Sequence, residues 1–127
     1  MVQYSNGLYP CYTPNKILEV NMRVDEILST ADTLKENGIS EEIKLQWLND
    51  VEGRVHCEIL GKASEDFVTL KTTKDELSIP IPYANVYLNY ILAMMAFIMK
   101  EYELYTDLTL KYERNFSEYA KYCLRKR

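Results

Sequence analysis

The sequence predicts an all-α protein, a four-helix arrangement with one small extended or hairpin insertion between the second and third helices. Three observations carry this. Apolar residues recur at spacings of three and four along most of the 127 residues, as they do on one face of a helix. Start and stop signals at Thr13-Pro14, Asn37-Gly38, Ser40 and Gly61 cut those stripes at helix lengths. Only the segment from Lys62 to Pro82 departs from the pattern, with short runs of β-branched and aromatic residues. The length fits a single helical domain spanning 1–127.

Residues 1–13 read as an irregular arm, because the first twelve carry no charge and set Tyr4, Tyr9 and Tyr12 around Pro10. Thr13 then caps a first helix from about Pro14 to Glu36, with proline at its first position. Its stripe is Ile17, Val20, Val24, Ile27, Ala31 and Leu34, and Asn37-Gly38 ends it through a left-handed turn. Ser40 caps the second helix, with Glu41 and Glu42 in the first turn where the helix dipole favours acid. Ile43, Trp47, Leu48, Val51, Val55 and Ile59 form its stripe, and Gly61 stops it. Gly53 inside this helix costs about 1 kcal/mol relative to Ala, which implies a close backbone neighbour or a local bend.

Residues 62–82 form the extended insertion. Phe67–Leu70 and Leu77–Ile79, separated by Thr72-Thr-Lys-Asp, are read as a hairpin or as a loop. Pro80 and Pro82 exclude a helix before Tyr83. The third helix then runs from Tyr83 to Tyr105. One stripe is Tyr87, Ile91, Met94, Ile98, Tyr102 and Tyr105; another is Tyr83, Val86, Tyr90, Ala93 and Phe97. Apolar side chains on so much of the circumference predict burial on several sides. No charge occurs from Leu77 to Met99, but the prolines leave 17 helical residues there, including Asn85 and Asn89, short of a bilayer span. A core or subunit-facing helix is therefore expected, with no membrane partner. A turn near Thr106-Asp107 precedes a fourth helix with the stripe Leu108, Tyr112, Phe116, Tyr119 and Cys123, and with Lys111, Arg114, Glu118 and Lys121 in solvent.

Composition narrows function. A net charge of −4 argues against a general nucleic-acid binder, which needs a basic surface. Seven basic and five acidic residues from Lys100 onward give a local +2 and leave −6 on the rest. The terminal Arg125-Lys126-Arg127 suits a solvated helix end. Cys11, Cys57 and Cys123 are odd in number and far apart, so neither a disulfide framework nor a zinc site follows. With no basic and apolar leader at Met1, the reducing cytoplasm is the expected compartment.

Catalytic chemistry finds no footing. His56 neighbours Cys57 on a helix, where adjacent side chains point about 100° apart and cannot act as base and nucleophile. Glu41-Glu42 and Glu101/Glu103 are explained by capping and by a solvated face. Phosphate loops, nucleophile elbows and metalloprotease motifs are missing, so no enzyme, cofactor, metal or small-molecule substrate is expected. The informative excess is 11 Tyr among 15 aromatics, against about four Tyr at average usage. Tyrosine, apolar in body and polar at its tip, belongs at the border of a helical core and a subunit interface.

Two stretches carry a resemblance over residues 39–120. Pro82-Tyr-Ala-Asn-Val-Tyr-Leu-Asn-Tyr-Ile-Leu-Ala, followed by Glu101-Tyr102, Tyr105, Phe116 and Tyr119, resembles the "PYxxxYxxYxxA…EYxxY" ending of small tailed-phage and prophage proteins of Gram-positive bacteria. Ile39-Ser-Glu-Glu-Ile-Lys-Leu-Gln-Trp-Leu-Asn-Asp-Val-Glu-Gly-Arg resembles their "S-x-E-x-K-x-x-W-L-x-x-L-(D/E)-G-R" helix, with Trp47, Leu48, Gly53 and Arg54 matching. The sequence departs at Leu92, Met94 and Ala96, where the family is usually charged, and in its N-terminal arm.

Such proteins are similar to head-to-tail connector (adaptor) subunits, which are mainly helical and form a ring beneath the portal. The resemblance implies a virion structural protein, present in the host cytoplasm during assembly, whose partners are its own copies and a portal or tail-completion protein. The core and interface candidates are Trp47, Gly53, Arg54, Tyr83, Tyr87, Tyr90, Tyr102, Tyr105, Phe116 and Tyr119. Tyr102 and Tyr105, with one face of the third helix, are expected to meet a different surface of the next subunit, such as its arm. The alternative is a small cytoplasmic helical regulator or protein-binding module acting as a dimer.

Overall fold

The computed structural model describes residues 20–126, so the tyrosine-bearing arm, the Thr13-Pro14 cap and Cys11 lie outside the described residues. The fold is mostly helical but not all-α, because a small antiparallel sheet joins the two ends of the first half. Strand β1 (Val20–Arg23) leads directly into helix α1 (Val24–Leu34). Helix α2 (Glu41–Arg54) continues through a π-helical turn, Val55–Ile59. Strand β2 (Glu76–Ile81) crosses to β1, and helices α3 (Asn85–Ile98) and α4 (Tyr102–Lys126) complete the chain.

The first helix is therefore shorter than its stripe suggested. Val20 pairs with Ile81 and Asn21 with Pro80, in strand form. The spacing from Val20 to Val24 looks helical, yet Val20 is 59% exposed while Val24 is fully buried. The helix begins at Val24 because loop carbonyls receive its first amides: Val24 N–H donates to Asp75 O at 3.0 Å and Asp25 N–H to Thr73 O at 2.8 Å. It ends at Leu34, before Asn37-Gly38. Asn37 Nδ2 donates to the Lys35 carbonyl (2.9 Å) and to Asp32 (3.0 Å), and Gly38 does not adopt a positive φ.

Ser40 caps α2 as expected, its Oγ accepting from Ile43 N–H at 3.3 Å. Trp47, Leu48, Val51, Val55 and Ile59 are buried, Ile43 half exposed, and Gly61 turns the chain with φ +67°. Gly53 has no backbone against it. A Cβ there would touch only the Phe67 ring, 3.8 Å away, and the helix leaves α geometry in the π-helical turn that follows.

Of the two readings of residues 62–82, hairpin or loop, the hairpin within 67–79 does not form. Strand β2 takes β1 as its partner, and Phe67–Leu70 stays irregular. The Asn49 carboxamide substitutes for a neighbouring strand: its Oδ1 accepts from Leu70 N–H at 2.7 Å and its Nδ2 donates to Leu70 O at 3.2 Å. The 72–75 turn is present, closed by Asp75 Oδ2, which accepts from Lys71 N–H (2.7 Å) and Thr72 N–H (3.1 Å).

The turn expected at Thr106-Asp107 lies seven residues earlier. Helix α3 stops at Ile98, and Lys100 takes a left-handed φ of 63°. Lys100 N–H donates to Phe97 O (3.1 Å) and Glu101 N–H to Ala96 O (2.8 Å), the paired bonds of a Schellman cap built without glycine. Tyr102, Tyr105, Thr106 and Asp107 thus open α4 rather than closing α3. Among the described residues no helix is long and apolar enough to cross a membrane.

A tyrosine-lined helical hairpin as candidate interaction site

The α3–α4 turn folds the two helices back on each other, and the aromatics meet in pairs repeated every seven residues. Tyr83 packs on Tyr119 with ring centroids 5.5 Å apart, Tyr90 on Tyr112 at 4.9 Å, and Phe97 on Tyr105 at 5.2 Å. A seven-residue step keeps each pair on the same seam of an antiparallel helical hairpin, with Tyr83 two residues ahead of α3. Tyr122 extends the first pair, 4.9 Å from Tyr83, and Tyr102 flanks the last, 6.0 Å from Phe97. Between the rings, Ala93, Ala96 and Leu108 fill the seam near the turn, and Asn89 Nδ2 donates to Asn115 Oδ1 at 2.6 Å.

Arg54 clamps α2 onto this seam. Its guanidinium carbon sits 4.0 Å from the Phe116 ring centroid and 5.6 Å from that of Tyr112, a cation–π arrangement. Nη1 donates to Tyr112 Oη (3.2 Å) and Glu113 Oε2 (3.1 Å), while Nε donates to both Glu58 oxygens (3.2 and 3.1 Å). Burial opposes its charge, but the bonds to Glu113, Tyr112 and Glu58 outweigh that and raise its pKa further. Burial also raises the Tyr112 hydroxyl, with Arg54 pulling the other way. Tyr90 is pushed up to about 12, first by burial and then by the Asp50 carboxylate beside its hydroxyl. These hydroxyls stay protonated, that of Tyr90 against Asp50 and that of Tyr112 accepting from Arg54.

Tyr87 makes no ring pair in the seam and is fully buried. Its hydroxyl donates to Glu52 Oε1 at 2.5 Å and accepts from Ile79 N–H at 2.8 Å. Glu52, 5% exposed, also accepts from Ser78 N–H (2.9 Å) and Ser78 Oγ (2.8 Å) through Oε2. Burial, with the Glu52 charge added, raises the Tyr87 pKa strongly. This network ties α2, β2 and α3 together, and it is where Tyr87 belongs rather than in a stripe with Tyr102 and Tyr105. Trp47 is 7% exposed in the core between these elements. Glu52 and Asn49 carry no such role in a periodicity argument, although Glu52 occupies the acidic position of the E-G-R stretch.

Beside Glu52 a cleft of about 300 Å³ also exposes His56, Lys62 and Asp66. Three of its polar side chains are tied internally: His56 Nε2 is 2.8 Å from the Ala63 carbonyl, and Ser78 Oγ is bound to Glu52. Cys57 and Cys123 are free thiols, and no cluster of metal-ligating side chains exists among the described residues.

Two surfaces of the hairpin remain open. At its turn, Phe97, Ile98, Met99, Tyr102 and Leu104 are 36–56% exposed, and Lys35, just past α1, bonds Glu101 there at 2.5 Å. Along its side, a cavity of about 230 Å³ lies between α3 and α4, walled by Tyr90, Met94, Tyr105, Thr109, Tyr112 and Glu113. Compared with protein-family models, with curated proteins and with solved structures, the chain matches none.

Proposed function

We propose that this chain is a structural rather than a catalytic protein: a phage or prophage head-to-tail connector subunit that works in the virion by contacting its own copies and a portal or tail-completion protein. The observation that carries the reading is the apolar turn of the α3–α4 hairpin. Five large apolar side chains stand at 36–56% exposure within eight residues of chain at this turn, with Phe97 and Tyr102 in ring contact, and clustered exposed apolar side chains mark a contact site. The turn is held rigid by its Schellman bonds and by the Lys35–Glu101 pair, so a partner meets a preformed surface. In a ring each subunit offers such a surface to a different one on its neighbour. The residue patterns around Trp47 and Pro82 lend support, because their members cap, clamp and line the helices that present the turn.

Light scattering behind size-exclusion chromatography over a hundredfold concentration range tests this. Higher species are expected to grow with concentration or on adding portal protein, and Phe97→Ser with Tyr102→Ala is expected to suppress them while the fold persists. A strict monomer that ignores portal protein overturns the reading. A strict two-fold dimer favours a regulatory module instead.

A further inference from the structure

We infer that the side cavity of the α3–α4 hairpin is a recognition site for a basic side chain, a lysine or arginine of a protein partner. Its size sets the ligand class first. About 230 Å³ suits one long side chain and is below the range that houses nucleotides or drug-sized cofactors, roughly 300–1,000 Å³. Its lining sets the charge. Tyr90, Tyr105 and Tyr112 supply π-systems, whose faces attract cations, and Met94 supplies a polarisable apolar wall.

Carboxylates complete the site. Glu113 opens on the cavity; its Oε2 holds Arg54, and its Oε1 has no bond among the described residues. Asp50 stands behind the Tyr90 hydroxyl, and Glu58 flanks Arg54. Against these three acids the base that faces the cavity among the described residues is Arg54, already committed to Phe116, Tyr112 and two carboxylates. The surplus is negative. Arg54 itself shows how this cluster treats a cation, by stacking it on a ring and fixing it with a carboxylate. An incoming side chain would repeat that arrangement one step nearer the turn, on Tyr105. The site does not depend on the connector reading, since any partner with an exposed basic side chain would use it.

The test titrates the full-length protein with acetylated lysine amide and with acetylated norleucine amide, which has the same aliphatic stem and no charge. The methyl resonances of Ala93 and Met94 serve as reporters, both lining the cavity. Saturable shifts are expected with the lysine compound, about 5- to 30-fold tighter than with norleucine, from the upper end of what cation–π attraction gives at exposed sites to what it gives at desolvated ones. Tyr105→Phe is expected to keep this preference and Tyr105→Ala to reduce it at least fivefold, with helicity unchanged by circular dichroism. Equal binding of the two compounds, absence of saturable shifts, or a preference unchanged in Tyr105→Ala would each overturn the assignment.

Discussion

Glu52 is a buried carboxylate with no ion-pair partner among the described residues, and three donors make that tolerable: two from Ser78 and one from Tyr87. Tyr87→Phe removes one donor and orphans the Ile79 amide while keeping the ring. A loss of about 1–3 kcal/mol is expected, measured by urea unfolding, because unsatisfied buried polar groups keep their desolvation cost. No loss would mean water replaces the hydroxyl. Two exposed or half-exposed acids give a pH dependence. Burial raises the Asp32 pKa, but bonds from Lys44 and Asn37 outweigh it and leave it lowered; backbone amides of Lys71 and Thr72 lower that of Asp75. A carboxylate bound more weakly to its proton when folded stabilises the fold above its unfolded pKa and ceases to do so as pH falls through the lower folded value. The urea midpoint is therefore expected to hold from pH 7 to about 5 and to drop below about pH 4. Asp32→Asn with Asp75→Asn should flatten that drop; an unchanged slope would assign acid sensitivity to other groups.

The α3–α4 turn illustrates a signal missing at the level of the element. Left-handed backbone is read from sequence through glycine or asparagine, and here a lysine occupies it because the Schellman bonds and the aromatic pairs on either side overdetermine the chain path. Lys100→Gly relieves the Cβ clash, so a gain of up to about 1 kcal/mol is expected in thermal unfolding, whereas Lys100→Val should lose at least as much. The opposite order would mean the turn is not left-handed in solution. The same limit explains the N-terminal strand. Residues Val20–Arg23 continue a helical spacing; the local boundary is the Glu26 carboxylate accepting from Arg23 N–H at 2.8 Å, and Asp75 and Thr73, about fifty residues away, accept the first helical amides.

Across the whole molecule, the core gathers α1, α2, β2, α3 and α4 around Trp47, Leu48, Ile79, Tyr87 and Ile91. Trp47→Ala is expected to cost about 3–5 kcal/mol, enough to leave the chain largely unfolded, because the cavity it opens borders several elements at once. His56→Ala removes one bond to Ala63 and a ring contact with Phe67, 5.5 Å away, and should cost about 1 kcal/mol. Far-UV circular dichroism against temperature separates the two. Similar melting of both variants would place Trp47 outside the core.

Local pattern was sufficient for most of the helical content. Ser40, the Trp47-Leu48-Val51 stripe, the Gly61 stop and the Leu108-Tyr112-Phe116-Tyr119 face all form as their spacing dictates, since capping and amphipathic burial act over one to three turns. The tyrosines too were legible as residues of a helical border. Their pairing was not: that Tyr83, Tyr90 and Phe97 meet Tyr119, Tyr112 and Tyr105 depends on where the chain reverses, and the reversal at Lys100 carries no glycine. Tertiary structure alone decided three further matters: β2 pairing with β1 instead of with Phe67–Leu70, the burial of Glu52 beneath Tyr87 and Ser78, and the clamp of Arg54 on Phe116. Each joins groups between 26 and 62 residues apart, a separation at which periodicity says which face is apolar but not which partner covers it.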